Sequence, residues 1–455
     1  MNYAKSLPKL LALLFAFYVL PAVAQIPAPL YDPKTMAALG DEIFRNSGAT
    51  GMVLVIVHDN QAFFHGYGET SAGSHQLPTQ DSVLRICSLT KTFTSDLLNK
   101  LVEDKTVTLT DTLQRFAPAH TVVPRRVRAI TLSDLATHTS GLPREVRGAP
   151  RNTPHFTFPD HATRWRWLAG QHLSFTPGTA ALYSNVAYDF LSDALQSATH
   201  QQYVTLISER TLKPLRMYNT TFFPSAAQCN RLLRSANNDG PCTSTEETAG
   251  SSGLYSTASD MEIWLQYLLG TGAQAQDPAA QAVYIPASNL VHQEGLDHAG
   301  DPTGVGLGWI HLEPSDSPSH LVEKTGGGAG FLTYIAINHA RHAAIFIAAT
   351  DGPDRPHPAK PSPVAAGLVA SGLASSGPAV TDQAVSASVT TGQHVNLFYA
   401  ANNLLLRVSG LPPLPPPPPR HIAVAGHKHI RAHIRARAST KSADPRSSHK
   451  KARRK

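Results

Sequence analysis

Ser88 and Lys91 form a Ser-x-x-Lys element that could carry nucleophilic chemistry. At positions i and i+3 of a helix, a hydroxyl and an amine lie on the same face. A serine hydroxyl is a weak nucleophile until a base accepts its proton, and a partly desolvated lysine with a lowered pKa can act as that base. At a helix start, Ser88 would also lie where backbone N–H groups stabilise an oxyanion. The competing interpretation is a helix-capping serine followed by a solvated lysine.

Tyr183 and Asn185 form a second element, Tyr-x-Asn, shortly after the turn signature Pro177-Gly178. On a loop, this element offers a phenol oxygen and an amide side by side. The phenol becomes a useful base only when cations are near. Taken alone, the element is better explained as a buried aromatic residue in a turn.

Lys324 and Thr325 begin a third element, Lys-Thr-Gly-Gly, between apolar residues on one side and a predicted strand on the other. We expect Lys324 on an edge strand that faces a cleft. Glycines at 326–328 would let a substrate backbone approach closely. The N–H of Gly327 could then pair with the N–H of Ser88 as an oxyanion hole.

The elements that must position these residues follow from hydrophobic patterning. Apolar, β-branched runs predict strands at 52–57, 61–67, 331–337 and 343–349, and helical spacing predicts a helix that begins near Ser88. Residues 109–300 contain helix-like segments separated by Pro/Gly-rich loops. The expected fold class is α/β (α+β), with an antiparallel sheet built from both termini, flanked by helices, and a mostly helical region inserted between its strands.

Three individually weak elements in this order make a strong combination, since Ser-x-x-Lys with Lys-Thr-Gly is a signature of β-lactamases and penicillin-binding proteins. The chain resembles that serine β-lactamase and penicillin-binding protein superfamily over about residues 35–370, on the class C side, where Tyr-x-Asn is the middle element. Segments 130–143, 252–260 and 306–309 are also typical of the family. Segments 48–52, 83–91 and 323–331 are most similar to the AmpH-type D-alanyl-D-alanine carboxypeptidase/endopeptidases.

This resemblance implies a β-lactamase/transpeptidase-like fold and a role for each motif residue. Ser88 would form the acyl-enzyme, and Lys91 and Tyr183 would share the proton transfers. Asn185 would bind the substrate amide. Lys324 and Thr325 would bind the carboxylate of the substrate. The N–H groups of Ser88 and Gly327 would form the oxyanion hole. No cofactor and no metal are expected.

Three functions stay open at the level of sequence. The first is an exported carboxypeptidase or endopeptidase that acts on D-alanyl-D-alanine in peptidoglycan stem peptides and binds β-lactam antibiotics covalently. The second, on the same fold, is a class C-like β-lactamase or a short-acyl esterase. The third is a non-catalytic protein that binds the cell wall, against which the intact motifs argue.

The cysteines and histidines outside the motifs receive structural interpretations. Cys229 and Cys242 are close in sequence and, in an oxidising compartment, predict a disulfide bond. Cys87, directly before Ser88, is interpreted as a small buried residue rather than as a nucleophile. His138 is assigned a structural role, because Lys91 and Tyr183 already supply bases.

Both ends of the chain have a composition unlike the rest. Residues 1–24 predict an export signal: Lys5 and Lys9 precede an apolar run, and an Ala-x-Ala pattern ends it. A retained membrane anchor is the alternative. The catalytic domain is predicted at 25–377. An extension at 378–410, whose end could be a strand or a helix, and a polyproline linker at 411–419 follow.

Residues 420–455 are predicted to be a disordered basic tail, with twelve Lys/Arg and one acidic residue, whereas residues 25–419 carry 25 basic and 31 acidic side chains. The +7 net charge therefore resides in the tail. We expect a periplasmic protein, or one peripheral to the membrane, whose tail lies on an anionic envelope surface. Nucleic acid is not an expected partner of an exported chain.

Overall fold

The structure is a computed structural model that describes residues 31–352 and 396–414. The predicted signal at 1–24, the basic tail at 420–455, and most of the polyproline linker lie outside the described residues. So does the greater part of the extension at 378–410.

The helices and strands run in the following order. The α-helices are α1 (Pro33–Ser47), α2 (Thr90–Glu103), α3 (Leu132–Ala136), α4 (His161–Leu168), α5 (Asn185–Thr199), α6 (Tyr203–Ile207), α7 (Ala226–Asn230), α8 (Ala258–Leu269) and α9 (Leu397–Val408). The strands are β1 (Ala49–His58), β2 (Gln61–Gly68), β3 (Val83–Arg85), β4 (Ala181–Leu182), β5 (Tyr255–Thr257), β6 (Ile285–Pro286), β7 (Gln293–Glu294), β8 (Pro302–Val305), β9 (Ile310–Leu312), β10 (Leu321–Gly328), β11 (Phe331–Asn338) and β12 (Ala343–Asp351).

Strands from both ends of the described chain form one eight-stranded sheet, in the order β2-β1-β12-β11-β10-β9-β8-β6. Its pairings are antiparallel. In the centre, β1 pairs with β12, so that the first long strand of the chain lies beside the last one. The four strands predicted from patterning are all present, and the expected antiparallel sheet assembled from both termini is confirmed.

The sheet separates two hydrophobic clusters. Alternate residues of β1 show this directly: Val53, Val55 and Val57 belong to the larger cluster, whereas Met52 and Leu54 belong to the smaller one. This is the two-residue period of a strand that is buried on both faces. The larger cluster contains most of the helical region inserted between β2 and β10, including Cys87 and Leu89 on either side of Ser88, whereas Tyr183 belongs to the smaller cluster.

Helix α9 covers the other face of the sheet together with α1. Its Asn402 fixes this packing, because its amide accepts a hydrogen bond from the Tyr334 hydroxyl on β11 (2.6 Å) and donates one to the Ala299 carbonyl (3.2 Å). The sequence left open whether residues 395–408 form a strand or a helix. The structure has a helix there, and its apolar side belongs to the smaller cluster.

The predicted disulfide bond between Cys229 and Cys242 is present. The loop that it closes is anchored on the buried guanidinium of Arg85, which donates to the carbonyls of Gly240 (2.7 Å) and Pro241 (2.9 Å). The loop therefore lies beside β3, the strand that leads directly to Ser88.

Within residues 31–352 and 396–414, no helix combines the length and the apolar character needed to cross a membrane.

Candidate active site

Ser88 lies in a single 3₁₀ turn, Cys87–Leu89, directly before α2. The sequence predicted that the helix starts near Ser88, and the regular α-helix begins two residues later. The turn packs against β10 and β11, where the Thr333 hydroxyl donates to the Ile86 carbonyl (2.9 Å). Ser88 is only 6% exposed, so its side chain is almost completely buried.

Lys91 lies one turn after Ser88 and is completely buried. Its Nζ is 3.3 Å from Ser88 Oγ, 2.5 Å from Asn185 Oδ1 and 2.8 Å from the carbonyl oxygen of Ser251. Three oxygens around one amine fix its position. The Ser-x-x-Lys spacing thus brings the hydroxyl and the amine together, as the i, i+3 argument expects.

Burial lowers the pKa of Lys91 from 10.5 to about 7, because the charged amine has lost its hydration. The negative charges of Asp189 and Glu145 partly oppose this shift, and the positive charge of Arg144 adds to it. A lysine with this pKa is neutral in a substantial fraction of molecules at neutral pH. It can therefore accept the proton of Ser88.

Tyr183 follows the short strand β4 and is 7% exposed. Three cations surround its ring: Lys91 Nζ at 5.0 Å, Lys324 Nζ at 4.9 Å and Arg144 Cζ at 4.6 Å from the centroid. The structure therefore places Tyr183 in the electropositive environment that a phenol needs to handle protons.

His138 packs beneath Tyr183, with ring centroids 4.5 Å apart. Its Nδ1 accepts a hydrogen bond from the backbone N–H of Ser184 (3.1 Å), so the neutral ring carries its proton on Nε2. Burial, and next the positive charge of Lys91, hold the pKa of His138 well below its usual range. A neutral, buried ring that orients Tyr183 is consistent with the structural role assigned from sequence.

Asn185 is the first residue of α5, which Ser184 caps by accepting the N–H of Ala187 (3.0 Å). Its side-chain oxygen accepts from Lys91, and its side-chain nitrogen donates to Glu145 Oε1 (2.5 Å). Both ends of the amide are thus engaged. A substrate amide that binds Asn185 must therefore replace the carboxylate of Glu145, an exposed side chain.

Lys324 lies on β10 and is buried, with Nζ donating to the carbonyl of Thr325 (3.0 Å). Burial lowers the pKa of Lys324, and its attraction to Tyr183 opposes this shift. The prediction of an edge strand is wrong for β10 as a whole, because β9 pairs with its residues 321–323. That pairing stops at Glu323, so from Lys324 onward this side of the strand faces the Ser88 turn instead of another strand.

A glycine of β10 is needed for the strand to pack closely against the Ser88 turn, apart from any contact with a substrate. A Cβ at Gly326 would lie 2.2 Å from Thr333 Oγ1, 3.0 Å from the Ile86 carbonyl oxygen and 3.2 Å from the Ser88 nitrogen. Gly326 is therefore required for the strand to approach the nucleophile. At Gly327 a Cβ would meet only ordinary contacts, the nearest at 3.4 Å, so packing does not require a glycine at this position as it does at Gly326.

Several residues near the nucleophile were not singled out from sequence. They are Arg144 and Glu145 at the mouth of the site, Ser251, whose carbonyl binds Lys91, and Asp189, a buried acid on α5. No spacing rule connects them to Ser88, since they come from separate loops and a helix interior. Only the assembled fold brings them together.

Cys87 is fully buried, and burial raises the pKa of its thiol to about 12. Its Sγ lies 3.4 Å from the carbonyl oxygens of Arg85 and Gly328. A thiol that does not ionise at neutral pH is not a nucleophile. The structure thus supports the interpretation of Cys87 as a packing residue behind Ser88.

Among the described residues, no group of three or more His, Cys, Asp or Glu side chains is arranged to hold a metal ion. The arrangement consists of a buried hydroxyl, a lysine with a lowered pKa, a phenol surrounded by cations and a second buried lysine. These groups can perform nucleophilic acyl transfer by proton transfer among side chains alone.

Comparison with known proteins places this geometry in a family. Residues 36–369 match the family model described as Beta-lactamase. The chain is 39% identical to the D-alanyl-D-alanine-carboxypeptidase/endopeptidase AmpH of Escherichia coli K12 over 336 residues. The aligned region covers 73% of this chain and 87% of that relative. It is also 24% identical over 309 residues to the protein flp of Staphylococcus aureus MW2, across 66% of this chain and 59% of that protein.

Comparison with solved structures leads to the same family. A β-lactamase/D-alanine carboxypeptidase from Yersinia pestis superposes with a TM-score of 0.67 at 40% identity, covering 70% of this chain and 93% of that one. The D-alanine carboxypeptidase AmpC of Burkholderia cenocepacia, at 22% identity and a TM-score of 0.57 over 70% and 93% of the two chains, shares the fold. With the serine, lysine and tyrosine of the family motifs brought to one buried site, the chain belongs to the β-lactamase family of serine hydrolases.

Proposed function

We propose that this chain is an exported serine D-alanyl-D-alanine carboxypeptidase/endopeptidase that acts on peptidoglycan peptides through an acyl-enzyme on Ser88. The observation that carries the proposal is the 3.3 Å contact between Lys91 Nζ and Ser88 Oγ inside a buried, cation-rich site. The Escherichia coli relative, a D-alanyl-D-alanine-carboxypeptidase/endopeptidase, and the Yersinia pestis relative, a β-lactamase/D-alanine carboxypeptidase, support the choice of substrate at 39% and 40% identity.

In the proposed acylation step, Ser88 Oγ attacks the carbonyl carbon of the scissile D-alanyl peptide bond while its proton moves to Lys91. The carbonyl oxygen becomes an oxyanion and accepts hydrogen bonds from the N–H groups of Ser88 and Gly327. The tetrahedral intermediate then collapses, and the C–N bond breaks. Tyr183, which exchanges protons with Lys91, protonates the leaving amine, and an ester to Ser88 remains.

In the proposed deacylation step, a water molecule attacks the ester carbonyl and gives its proton to Tyr183 or Lys91. Ser88 Oγ leaves, regains a proton, and the peptide product dissociates. Lys91 Nζ lies 5.0 Å from the Tyr183 ring centroid. In the proposed step one of these two groups acts as the base while the other restores the proton. General acid–base assistance of this kind contributes about 10²- to 10⁴-fold in rate.

Substrate orientation is proposed to depend on Lys324, Thr325 and Asn185. A C-terminal D-alanine presents a carboxylate beside its scissile bond, and Lys324, next to Tyr183, offers the matching positive charge. The hydroxyl of Thr325 would share that carboxylate, and Asn185 would bind the amide of the preceding residue. An endopeptidase substrate also has a carboxylate on the leaving side of the bond, so the same contacts serve both reactions.

A second candidate is a class C-like β-lactamase or a short-acyl esterase. The family match favours this reading, because the same residues acylate in each case. The difference lies in deacylation: a β-lactamase must hydrolyse the penicilloyl ester rapidly, whereas a peptidase retains it. A third candidate, a non-catalytic wall-binding protein, predicts neither penicillin labelling nor D-alanine release.

The domain organisation and location remain part of the proposal. We propose that residues 1–24 direct export to the periplasm, that 25–377 is the catalytic domain, and that the basic residues of 420–455 attach the protein to an anionic envelope surface. Deletion of 412–455 should then release the protein from envelope fractions at low salt. Unchanged association would contradict the role given to the tail.

The experiment is digestion of purified muropeptides by the wild type and by Ser88→Ala, with products identified by mass spectrometry. We expect loss of terminal D-alanine and cleavage of crosslinked dimers by the wild type and by the control Ser259→Ala, a serine on α8. Ser88→Ala should be inactive. Intact muropeptides after incubation with the wild type, combined with rapid turnover of a penicillin, would instead identify a β-lactamase.

A further inference from the structure

Helix α5 carries a stripe of polar side chains that runs inward from the site. Asn185, Asp189 and Asp193 are spaced four residues apart and therefore lie on one face of the helix. The helix is otherwise largely apolar on its buried surface. Two carboxylates in such surroundings are costly unless each has a function or a partner.

Both ends of this stripe have partners. Asn185 binds Lys91 at the site. At the other end, Asp193 forms a buried bidentate ion pair with Arg164, with contacts of 2.7 Å to Nε and 2.5 Å to Nη2. The charge of Arg164 is thereby balanced without Asp189.

Asp189 lies between these two pairs and is 2% exposed. Its Oδ1 has no hydrogen-bond partner. The Ser251 hydroxyl lies beside the carboxylate and stabilises its ionised form. The carbonyl of the same Ser251 accepts the hydrogen bond of Lys91 Nζ at 2.8 Å. One residue thus lies between the buried acid and the proposed base.

We propose that Asp189 is a positioning residue whose buried carboxylate, acting across Ser251, sets the proton affinity of the Lys91 amine. It makes no contact with the substrate. In its ionised form the carboxylate raises the affinity of the amine for a proton, whereas the loss of hydration lowers that affinity. The balance keeps Lys91 basic enough to take the proton of Ser88 and yet neutral often enough to do so. This inference rests on the proposed chemistry of Ser88 and Lys91.

The electrostatics agree with the geometry. Burial raises the pKa of Asp189 to about 7, with Arg164, the Ser251 hydroxyl and Lys91 opposing the shift. After burial, Asp189 is the largest influence on the pKa of Lys91, and it raises that pKa. The charged and titratable groups around Asp189 come from its own helix and from the elements packed on it: Lys91, Glu145, Arg164, Asp193 and Tyr203.

The test compares Asp189→Asn with the wild type in two measurements. The first is the titration of Lys91, followed by NMR of protein labelled with ¹³C at lysine Cε and assigned by the loss of its signal in Lys91→Arg. The second is the pH dependence of acylation by p-nitrophenyl acetate and by a fluorescent penicillin. Asp260→Asn is the matched control, because Asp260, on α8, is also a buried aspartate, and it accepts hydrogen bonds from Asn219 and Thr220.

Removing the carboxylate should move the Lys91 titration and the acid limb of acylation to lower pH, by at most about 1 unit, since a nearby opposite charge shifts a pKa by this order. Asp260→Asn should lower stability and leave both midpoints unchanged. Unshifted midpoints in Asp189→Asn would overturn the inference while the wild type still acylates. A wild type that reacts with neither reagent would instead refute the proposed function.

Discussion

Lys91 Nζ lies 3.3 Å from Ser88 Oγ, and both side chains are almost completely removed from solvent. The burial that removes the serine from solvent also destabilises the charged form of Lys91 and so lowers its pKa. The amine becomes a usable base because the fold has stripped its water, and it stays in place because Asn185 and Ser251 supply oxygens at 2.5 and 2.8 Å. The position of the Lys91 amine and its proton affinity thus both result from its burial in the fold.

The first prediction concerns pH. Because burial lowers the pKa of Lys91 to about 7, its neutral form predominates above that pH and is lost as the pH falls. We expect kcat/KM for acylation to decrease tenfold per pH unit below a midpoint near 7. A stopped-flow pH profile with a penicillin checks this, and activity that falls only below pH 5 would show that Lys91 is not the base.

The second prediction concerns the phenol. Tyr183→Phe keeps the ring stacked on His138 and between the cations but removes the oxygen that exchanges protons. We expect kcat to fall by about 10²- to 10³-fold with KM and thermal stability nearly unchanged. Steady-state kinetics and thermal unfolding measure the two effects. A variant that retains its kcat would assign the proton transfers to Lys91 alone.

The third prediction separates binding from chemistry at Lys324. Because this buried amine is proposed to hold a substrate carboxylate, Lys324→Ala should impair acylation by penicillins and D-alanyl peptides by about 10²-fold. The uncharged ester p-nitrophenyl acetate should lose less than a tenth of that factor. Equal losses for charged and uncharged substrates would mean that Lys324 serves Tyr183 and not the carboxylate.

The fourth prediction concerns the disulfide bond. Cys229 and Cys242 close a short loop with a sequence separation of 13, which by chain entropy stabilises the fold by about 3 kcal/mol. Cys229→Ser/Cys242→Ser should lower the free energy of unfolding accordingly, measured by urea denaturation. Reductant should destabilise the wild type and leave the double variant unchanged, since Cys87 is a free thiol. A reductant effect on the double variant would contradict this assignment.

The sequence was informative where one residue pattern determines one local geometry. Short apolar, β-branched runs predicted the strands at 52–57, 61–67, 331–337 and 343–349, and Ser-x-x-Lys predicted a shared face for Ser88 and Lys91. The cysteine pair was also predicted correctly. Each of these predictions depends on residues close together in the chain.

The parts that sequence reasoning missed depend on contacts between distant segments. Asp189 was not singled out from sequence, because its burial arises only when α5 packs against other parts of the fold such as α2 and α3. Lys324 was expected on an edge strand, but β9 pairs with β10 up to Glu323, and where that pairing ends is a matter of register that no local pattern encodes. The packing role of Gly326 was likewise not predicted, because a side chain there would collide with Ile86 and Ser88, which are more than 200 residues away in sequence.

The most direct test of the central claim is the mass of the protein after brief exposure to a penicillin, followed by peptide mapping. We predict one covalent adduct, located on Ser88, that forms equally in Cys87→Ala and does not form in Ser88→Ala. An adduct on any other residue, or labelling that persists in Ser88→Ala, would contradict the assignment of Ser88 as the nucleophile.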